Sequence, residues 1–392
     1  MPAMRPNVTD AVSRLGTEGA FAVLSRARAL EATGRDVIHL EIGEPDFETP
    51  PHVAEAGIAA IRAGETHYCQ TAGLPVLREA AAMSLATSRA VPIDPEYVLV
   101  ANGAKPFLFF TVLATSGPGD EVIYPDPGFP IYESAVRFAG ATPVPLPLRE
   151  ERGFSFDPLE LESLLSERTR LVILNAPQNP TGGVIPRADL ERAATAIERT
   201  PAWVLSDEVY SRITYDVEAP SIASLPGMLE RTILLDGFSK TFAMTGWRLG
   251  YAAVPAELVD PLTRLIVNST SCVPPFVQLA GVAALEGPQD AVAEMVAEFR
   301  RRRDVLVPAL NEIQGISCVE PGGAFYAFPN VSALPIDADV LADRLLVEAG
   351  VALLAGSAFG VHAAGHLRLS YATSLENLER AIGRIDSFVT AL

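Results

Sequence analysis

The sequence has few of the residues that a secreted, metal-binding or membrane-spanning protein needs. Only three of its 392 residues are cysteines, and Cys69, Cys272 and Cys318 lie far apart with no C-x-x-C pair. This spacing is typical of reduced thiols in a cytosolic protein and not of a disulfide framework or metal site. No apolar run approaches the ~20 residues of a membrane-spanning helix. Residues 1–7 do not lead into the apolar core of a secretory signal. We therefore expect a cytoplasmic protein without a metal.

Basic residues are also scarce. Thirty lysines and arginines face 48 acidic residues, which gives a net charge of −18. A surface for nucleic acid or for an anionic membrane is therefore not expected. Hydrophobic residues make up 49% and charged residues 20% of the chain, a composition that excludes disorder. The length suffices for one large and one smaller domain.

Short apolar runs alternate with helical patterns from residue 97 to residue 254 and predict an α/β core. These runs lack alternating polar residues, as strands of a mostly parallel sheet do when both faces are buried. The predicted strands are 97–101, 121–124, 171–174, 203–205, 232–235 and 249–254. Ligands of such sheets bind beyond the carboxyl ends of the strands. Asn175, Asn179, Asp207 and Lys240 follow three of these runs, so we expect a site at that edge.

The last hundred residues predict a smaller α+β unit. An amphipathic helix is predicted from residue 289, and a run of four arginines follows at 300–303. This run is either a solvated helix face or an anion site, and we favour the solvated face. Apolar runs at 317–319, 325–328 and 366–371 predict short strands.

Lys240 lies in a loop of small residues between two predicted strands, with Arg248 further along the same loop. Partial burial lowers the pKa of an amine from about 10.4. Such an amine can attack an aldehyde and later act as a general base. A lysine in such a loop is, taken alone, more often a solvated turn residue. The neighbouring residues therefore decide between the two interpretations.

The segment Gly237-Phe238-Ser239-Lys240, continued by Arg248-Leu249-Gly250, resembles the Schiff-base signature of class I aminotransferases. This is the aspartate aminotransferase family of fold-type I pyridoxal phosphate (PLP) enzymes, and the resemblance extends over nearly the whole chain. It implies an α/β fold with a mostly parallel central sheet in a large domain, plus a smaller α+β domain formed by both termini. The implied boundaries are 1–46 and 287–392 for the small domain and 47–286 for the large PLP-binding domain.

The resemblance implies which residues hold the ring of the cofactor. Lys240 would hold the aldehyde, Asp207 would face the pyridine nitrogen, and Tyr210 and Asn179 would donate hydrogen bonds to the phenolic oxygen. Considered singly, Asp207 is typical of a helix N-cap, and the segment 175–183 is typical of a turn without function. In the family this loop is the Asn-Pro-Thr-Gly loop, whose Asn-Pro bond can be cis.

The resemblance also implies a phosphate cradle. Ala104 and Lys105 would supply backbone amides at the start of the helix predicted over 106–115, where amides face an anion. Ser239 would add a hydroxyl, and Arg248 a guanidinium suited to bidentate binding. Gly237 departs from the family pattern, because several relatives carry a serine there. One phosphate hydroxyl is therefore in doubt.

Further residues resemble the family's substrate and subunit contacts. Phe129 takes the place of the aromatic residue that stacks on the pyridine ring, although a bare aromatic would otherwise belong to the core. Arg368 resembles the arginine that grips the substrate α-carboxylate, and Gly43 the glycine beside it. Tyr68 matches a tyrosine that reaches the phosphate of a neighbouring subunit, which implies a homodimer with shared active sites. The side chain of Lys105 either binds a distal carboxylate of the substrate or faces solvent, in which case only the backbone amide is used.

The resemblance implies a PLP-dependent aminotransferase that moves an amino group between an L-amino acid and a 2-oxo acid. Lys240, Asp207 and Tyr210 would form the catalytic set, and aspartate or glutamate with 2-oxoglutarate is the default substrate pair. A PLP-dependent lyase or amino-acid cyclase on the same scaffold would share Lys240, Asp207 and Arg368, so the motifs do not separate these classes. A non-catalytic PLP-binding regulatory module agrees less well, because every catalytic position is filled.

Overall fold

The computed structural model describes residues 9–392 and contains, within this range, fourteen α-helices and thirteen β-strands. The prediction of no secretory signal concerns residues 1–7, which lie outside the described residues. The helices are α1 (Asp10–Ser13), α2 (Gly19–Glu31), α3 (Pro51–Arg62), α4 (Pro75–Arg89), α5 (Lys105–Thr115), α6 (Ile131–Ala139), α7 (Pro158–Leu164), α8 (Arg187–Ile197), α9 (Phe238–Thr241), α10 (Ala256–Ser269), α11 (Pro275–Glu286), α12 (Asp290–Glu312), α13 (Ala338–Arg344) and α14 (Leu375–Thr390). The strands are β1 (Ile38–His39), β2 (Val98–Ala101), β3 (Glu121–Asp126), β4 (Thr142–Arg149), β5 (Ser155–Phe156), β6 (Thr169–Asn175), β7 (Trp203–Asp207), β8 (Thr232–Gly237), β9 (Gly250–Ala253), β10 (Tyr326–Ala327), β11 (Val351–Ala352), β12 (Leu354–Ala355) and β13 (Leu367–Ser370). None of the described helices combines the length and the apolar character needed to cross a lipid bilayer.

The central sheet has the order β2-β9-β8-β7-β6-β3-β4-β5. The five strands from β8 to β4 in this order pair in parallel, whereas β9 is antiparallel to both of its neighbours and β5 is antiparallel to β4. All six strands predicted from the apolar runs belong to this sheet. The α/β class with a mostly parallel central sheet is therefore confirmed.

Both faces of the sheet are covered by helices, and β2 shows why its residues are apolar throughout. Val98 and Val100 pack in an apolar cluster with α3, α4 and α11. Leu99 and Ala101 pack on the opposite face with α5, α6 and α10. Successive side chains of a strand point to opposite faces. Every position of the strand is therefore buried, and an alternating pattern would have placed polar side chains in one of the two cores.

A second core is formed by elements from both ends of the described chain. β1 pairs in parallel with β11, and a small antiparallel sheet has the order β10-β13-β12. Their apolar side chains pack with those of α12, α13 and α14. The exact domain boundaries at residues 46 and 286 stay a prediction.

Two expectations about the last hundred residues were wrong. Residues 317–319 form no strand, only an isolated bridge between Ser317 and Asn330. The reason is that the side chain of Asn311 hydrogen-bonds both the backbone N–H and the backbone C=O of Cys318, at 2.8 and 3.1 Å. These groups are thereby satisfied without a neighbouring strand.

The solvated-face interpretation of the arginine run is also wrong for half of it. Arg300 and Arg301 are exposed, but Arg302 and Arg303 are 5% and 3% exposed. Arg302 binds both carboxylate oxygens of Asp46, at 2.7 and 2.9 Å. A helix turns by about 100° per residue. Four consecutive residues of α12 therefore surround the helix and do not share one face.

The strand directions bring the predicted site residues to one edge of the sheet. β2 and β8 are both antiparallel to β9, so β2 runs in the same direction as the parallel strands. The register pairs Asn175 at the end of β6 with Asp207 at the end of β7, and Asp207 with Leu235 of β8. Helix α9, which carries Lys240, begins directly after β8. The carboxyl ends of these strands form the floor of the site.

Candidate active site

A cavity of about 530 Å³ opens at this edge of the sheet. The predicted site residues that line it are Gly43, Ala104, Lys105, Phe129, Asn179, Asp207, Tyr210, Ser239, Lys240, Arg248 and Arg368. Tyr68 does not line it, and its side chain is 90% exposed. Among the described residues, no cluster of three or more His, Cys, Asp or Glu side chains could hold a metal ion. The fold thus gathers residues from distant parts of the chain into one site.

Lys240 points into the cavity, where its Nζ donates a hydrogen bond to the backbone oxygen of Gly43 at 2.6 Å. Burial, together with repulsion from Arg248 and Arg368, lowers the pKa of Lys240 to about 8, whereas Glu44 opposes the shift. A larger fraction of this amine is therefore neutral near pH 7 than for an exposed lysine. A neutral amine is the nucleophilic and basic form.

Gly43 allows the backbone to approach this lysine closely. A Cβ atom at position 43 would lie 2.1 Å from the Oη of Tyr326, so no other residue fits without displacing that ring. The hydroxyl of Tyr326 is in turn hydrogen-bonded to the hydroxyl of Tyr210 at 2.7 Å. Gly43 therefore lies between Lys240 and a pair of buried tyrosines, a position that requires the absence of a side chain.

Asp207 is a buried carboxylate without a cation. The hydroxyl of Tyr132 donates to its Oδ2 at 2.7 Å, and no basic side chain among residues 9–392 forms a salt bridge with it. Burial raises the pKa of Asp207 to about 6, against the hydrogen bonds from Tyr132 and the amide of Val209. A positively charged group in the cavity would lower this pKa and stabilise the ionised form.

Arg368 is a buried cation that pairs with no carboxylate of the described residues. It is 3% exposed, donates a hydrogen bond to the backbone oxygen of Glu41 and lies 4.8 and 5.3 Å from the ring centroids of Tyr326 and Phe359. Within residues 9–392 its Nε has no hydrogen-bond partner. Burying a charge without a partner is costly. The cavity is therefore suited to an anion that would bind this guanidinium.

The start of α5 and Arg248 form a second anion-binding end of the cavity. Ala104 is the N-cap of α5, so free backbone amides of its first turn face the cavity. Gly103 has φ +92°, and a Cβ atom there would lie 2.5 Å from Nη2 of Arg248. Ser239 adds a hydroxyl from α9. Amides, a hydroxyl and a guanidinium together match the chemistry of a phosphate group.

Asn179 and Phe129 also line the cavity. The peptide bond from Asn179 to Pro180 is cis, and within the described residues the side-chain oxygen of Asn179 has no hydrogen-bond partner. Phe129 is partly exposed, and Nζ of Lys105 lies 5.2 Å from its ring centroid. The ring is therefore available to a ligand instead of being enclosed in the core.

Several cavity residues were not assigned by sequence, among them Tyr132, Tyr326 and Glu18. Tyr132 lies three residues after Phe129, just inside α6, and could have been found from its closeness to that residue. Tyr326 lay in a predicted strand, and nothing local indicated its contact with Gly43. Glu18 forms an ion pair with Lys105 across 87 positions of the chain. Such long-range contacts leave no local pattern in a sequence.

A family model described as aminotransferase class I and II matches residues 35–385. The chain belongs to this family. The aspartate/prephenate aminotransferase of Cereibacter sphaeroides is 39% identical, over 98% of this chain and 99% of that protein. The arginine–pyruvate transaminase of Pseudomonas aeruginosa is 38% identical, over 96% of both chains. The structure of Thermus thermophilus aspartate aminotransferase with maleate superimposes with a TM-score of 0.93 at 38% identity, covering 99% of this chain and 100% of that chain.

The family assignment confirms the activity and the fold inferred from the sequence. The protein is an aminotransferase, which transfers amino groups between amino acids and 2-oxo acids, and its fold is that of the aspartate aminotransferases. The lyase, cyclase and regulatory alternatives are thereby set aside. Aminotransferases of this family use PLP.

Proposed function

We propose that the cavity binds PLP and that Lys240 is the residue that reacts with its aldehyde. The observation that carries this proposal is the convergence of three groups in one cavity. They are an amine with a pKa of about 8 and, within residues 9–392, a buried carboxylate without a cation and a buried guanidinium without a carboxylate. When bound, PLP supplies an electron sink for a negative charge that develops on the substrate Cα. Each of these three protein groups has a defined task beside such a group.

The residues around the cavity fit the parts of PLP. The amides at Ala104 and Lys105, the hydroxyl of Ser239 and the guanidinium of Arg248 would hold the phosphate. Asp207 would face the ring nitrogen and hold a proton on it, because the carboxylate is buried and gains a counter-ion in this way.

The remaining ring contacts come from two sides of the cavity. Tyr210 and Asn179 would donate hydrogen bonds to the phenolic oxygen, and Phe129 would stack on the ring face. The pyridine ring is then fixed by contacts to its nitrogen, its oxygen and its face. Such orientation confines the reaction to one bond of the substrate.

Two residues would orient the substrate and move its proton. Arg368 would bind the α-carboxylate with its guanidinium, next to the backbone of Gly43, and this would place the Cα–H bond toward Lys240. Lys240 Nζ would then be placed to accept the proton from Cα. A base with a pKa of about 8 is partly unprotonated at neutral pH and is suited to this transfer.

We further propose aspartate or glutamate as amino donor and 2-oxoglutarate as one acceptor. The relatives named for aspartate support this choice, and the side chain of Lys105 enters the cavity beside Phe129, where it could bind a distal carboxylate. A dicarboxylate would then be held at both ends, by Arg368 and by Lys105. Replacing Lys105 by alanine should weaken dicarboxylic donors more than aromatic donors, and equal effects would remove the distal-carboxylate role.

A homodimer with shared active sites is part of the same proposal. Tyr68 is 90% exposed, and large apolar side chains of the nearby helices are also exposed, namely Ile58 and Ile61 of α3 and Val76 and Met83 of α4. Exposed apolar side chains before and after Tyr68 in the chain support an interface there. The mass in solution, measured by light scattering, tests the dimer. Loss of PLP affinity in Tyr68→Phe would support the role of the hydroxyl at the partner's phosphate.

The decisive experiment follows the cofactor spectrum. With PLP added, the purified protein should bind it covalently, so that borohydride reduction fixes the cofactor to a peptide containing Lys240. Adding glutamate alone should convert the pyridoxal form to the pyridoxamine form, and 2-oxoglutarate should reverse this change. Lys240→Ala should lose both signals, whereas Lys105→Ala should keep the covalent bond. Borohydride labelling of another lysine would refute the assignment.

A further inference from the structure

Glu18 brings a second carboxylate into the cavity. It lies at the N-cap of α2 and lines the cavity together with Ala20 and Phe21. N-cap side chains commonly bond to the backbone amides of their own helix. Glu18 makes no such bond, and its carboxylate instead forms an ion pair with Nζ of Lys105.

Among the described residues, this ion pair engages the one cavity cation that is left for a distal substrate group. The other cations are Lys240, Arg248 and Arg368, which lie at the proposed aldehyde, phosphate and α-carboxylate positions. A dicarboxylic substrate that binds Arg368 with one end would meet Lys105 already paired with Glu18. It would have to displace Glu18 or lie beside it, and two carboxylates at one ammonium repel each other.

Displacement of Glu18 requires little rearrangement. Within the described residues, the bond to Lys105 is the only hydrogen bond of its carboxylate. Its side chain is 26% exposed and that of Lys105 is 42% exposed, so both groups keep access to water. Rotation of the glutamate side chain is then sufficient to free the ammonium. The cost of this step is that of a partly exposed ion pair.

We propose that Glu18 is a specificity-determining residue that competes with the distal carboxylate of the substrate for Lys105. Its carboxylate lowers the affinity for dicarboxylic amino acids and oxo acids relative to uncharged ones. This inference rests on the proposed function, in which Lys105 reads the distal carboxylate. It adds a residue that determines how strongly Lys105 favours aspartate and glutamate.

The test compares two dead-end ligands on the PLP-loaded enzyme. Succinate carries two carboxylates and propionate one, and neither has an amino group to transfer. Their dissociation constants are measured from the change in cofactor absorbance. Glu18→Gln keeps the size of the side chain and removes its charge. We expect it to tighten succinate binding by about two- to fivefold, the range of a partly exposed ion pair, and to leave propionate unchanged.

Glu257→Gln is the matched control. Glu257 lies in the first turn of α10, is exposed and does not line the cavity, so this change removes one negative charge elsewhere. It should leave both constants unchanged. In the Lys105→Met background, adding Glu18→Gln should no longer tighten succinate binding, because the ammonium for which the two carboxylates compete is absent. The KM of aspartate should fall with Glu18→Gln in the native background, while the KM of alanine stays constant.

The outcomes separate failure of this inference from failure of the proposed function. If Lys105→Met leaves succinate binding unchanged, Lys105 does not read the distal carboxylate, and the inference falls with it. If Lys105→Met weakens succinate but Glu18→Gln changes nothing, only the inference is refuted. An equal gain for propionate would also refute it. If Glu18→Gln loses activity only with basic amino donors such as arginine, Glu18 binds the cationic side chain of the substrate, and the competition for Lys105 is refuted.

Discussion

Arg89 connects the two strand ends that carry the proposed catalytic residues. Its Nε donates to Glu208 at 2.8 Å, and its Nη2 donates to Asp236 at 2.8 Å and to Ser211 at 2.6 Å. Glu208 follows Asp207 directly, and Asp236 lies near the end of β8, just before α9. All three charged side chains are buried. Replacing Arg89 by methionine would therefore leave two buried carboxylates without their cation.

The expected loss of stability follows from this arrangement. Removing one partner of a buried ion pair costs about 3–5 kcal/mol. The unfolding entropy is about 2.1 cal/mol/K per residue, which gives roughly 0.8 kcal/mol/K for 392 residues. The midpoint of thermal unfolding should therefore fall by about 4–6 °C in Arg89→Met. Circular dichroism at fixed protein and cofactor concentrations measures this shift, since bound ligand changes the midpoint.

The loss of stability in Arg89→Met should also depend on pH. Burial raises the pKa of Asp236 even with Arg89 beside it, and Arg89 acts to lower that pKa. Without the arginine the pKa should rise further. A carboxyl group with a raised pKa in the folded state destabilises the fold when ionised. This destabilisation disappears as the pH falls from above the pKa of the folded state to the ordinary pKa of about 3.9 in the unfolded state. The deficit of Arg89→Met should thus be largest at neutral pH and shrink in acid.

Arg149→Met serves as the control. Arg149 pairs with Glu160, but the two side chains are 40% and 29% exposed. Such a pair contributes at most about 1 kcal/mol, so the midpoint should fall by roughly 1 °C. The reasoning is refuted if Arg89→Met unfolds no earlier than this control, or if its deficit grows as the pH is lowered.

Two further changes test the cofactor site. Tyr132→Phe removes a hydrogen bond that lowers the pKa of Asp207. This pKa should therefore rise, and the acidic limb of the kcat/KM profile should move to higher pH; an unmoved limb would contradict the role of Asp207. Gly237→Ser restores the serine that several relatives carry, and its Cβ would find its nearest neighbours at 3.6 Å, an ordinary contact. If the hydroxyl reaches the phosphate, equilibrium dialysis should show PLP binding tightened by about threefold to tenfold, whereas weaker binding would exclude that contact.

The fold was predictable because its signals are local. Strands of the central sheet are apolar throughout since helices cover both faces, and the strand directions bring their carboxyl ends together. Asp207 and Lys240 follow those ends within a few residues, and so a linear motif places them. The same reasoning failed for the arginine run, because a run of charges reveals composition but not which side of a helix faces the core. Arg302 is buried and pairs with Asp46, which is distant in sequence.

The contacts that the sequence did not reveal are those between distant segments. Glu18 and Tyr326 enter the cavity from α2 and β10, outside the predicted sheet, and each acts on a residue that the motifs had identified. Glu18 pairs with Lys105, and Tyr326 requires a glycine at position 43. Motifs therefore indicate the groups proposed to react, whereas the groups that contact them follow only from the packing of one segment on another.

The charges in the cavity also couple ligand binding to the basicity of Lys240. Arg248 and Arg368 lower the pKa of this lysine by repulsion, after the larger effect of burial. An anion bound to either guanidinium reduces that repulsion. A phosphate at Arg248 and a carboxylate at Arg368 would therefore raise the pKa of the free amine. The lysine would be most easily deprotonated, and hence most nucleophilic, while the cavity lacks its anions. It would become a stronger base once they are in place, which is when the proton on the substrate Cα must be removed.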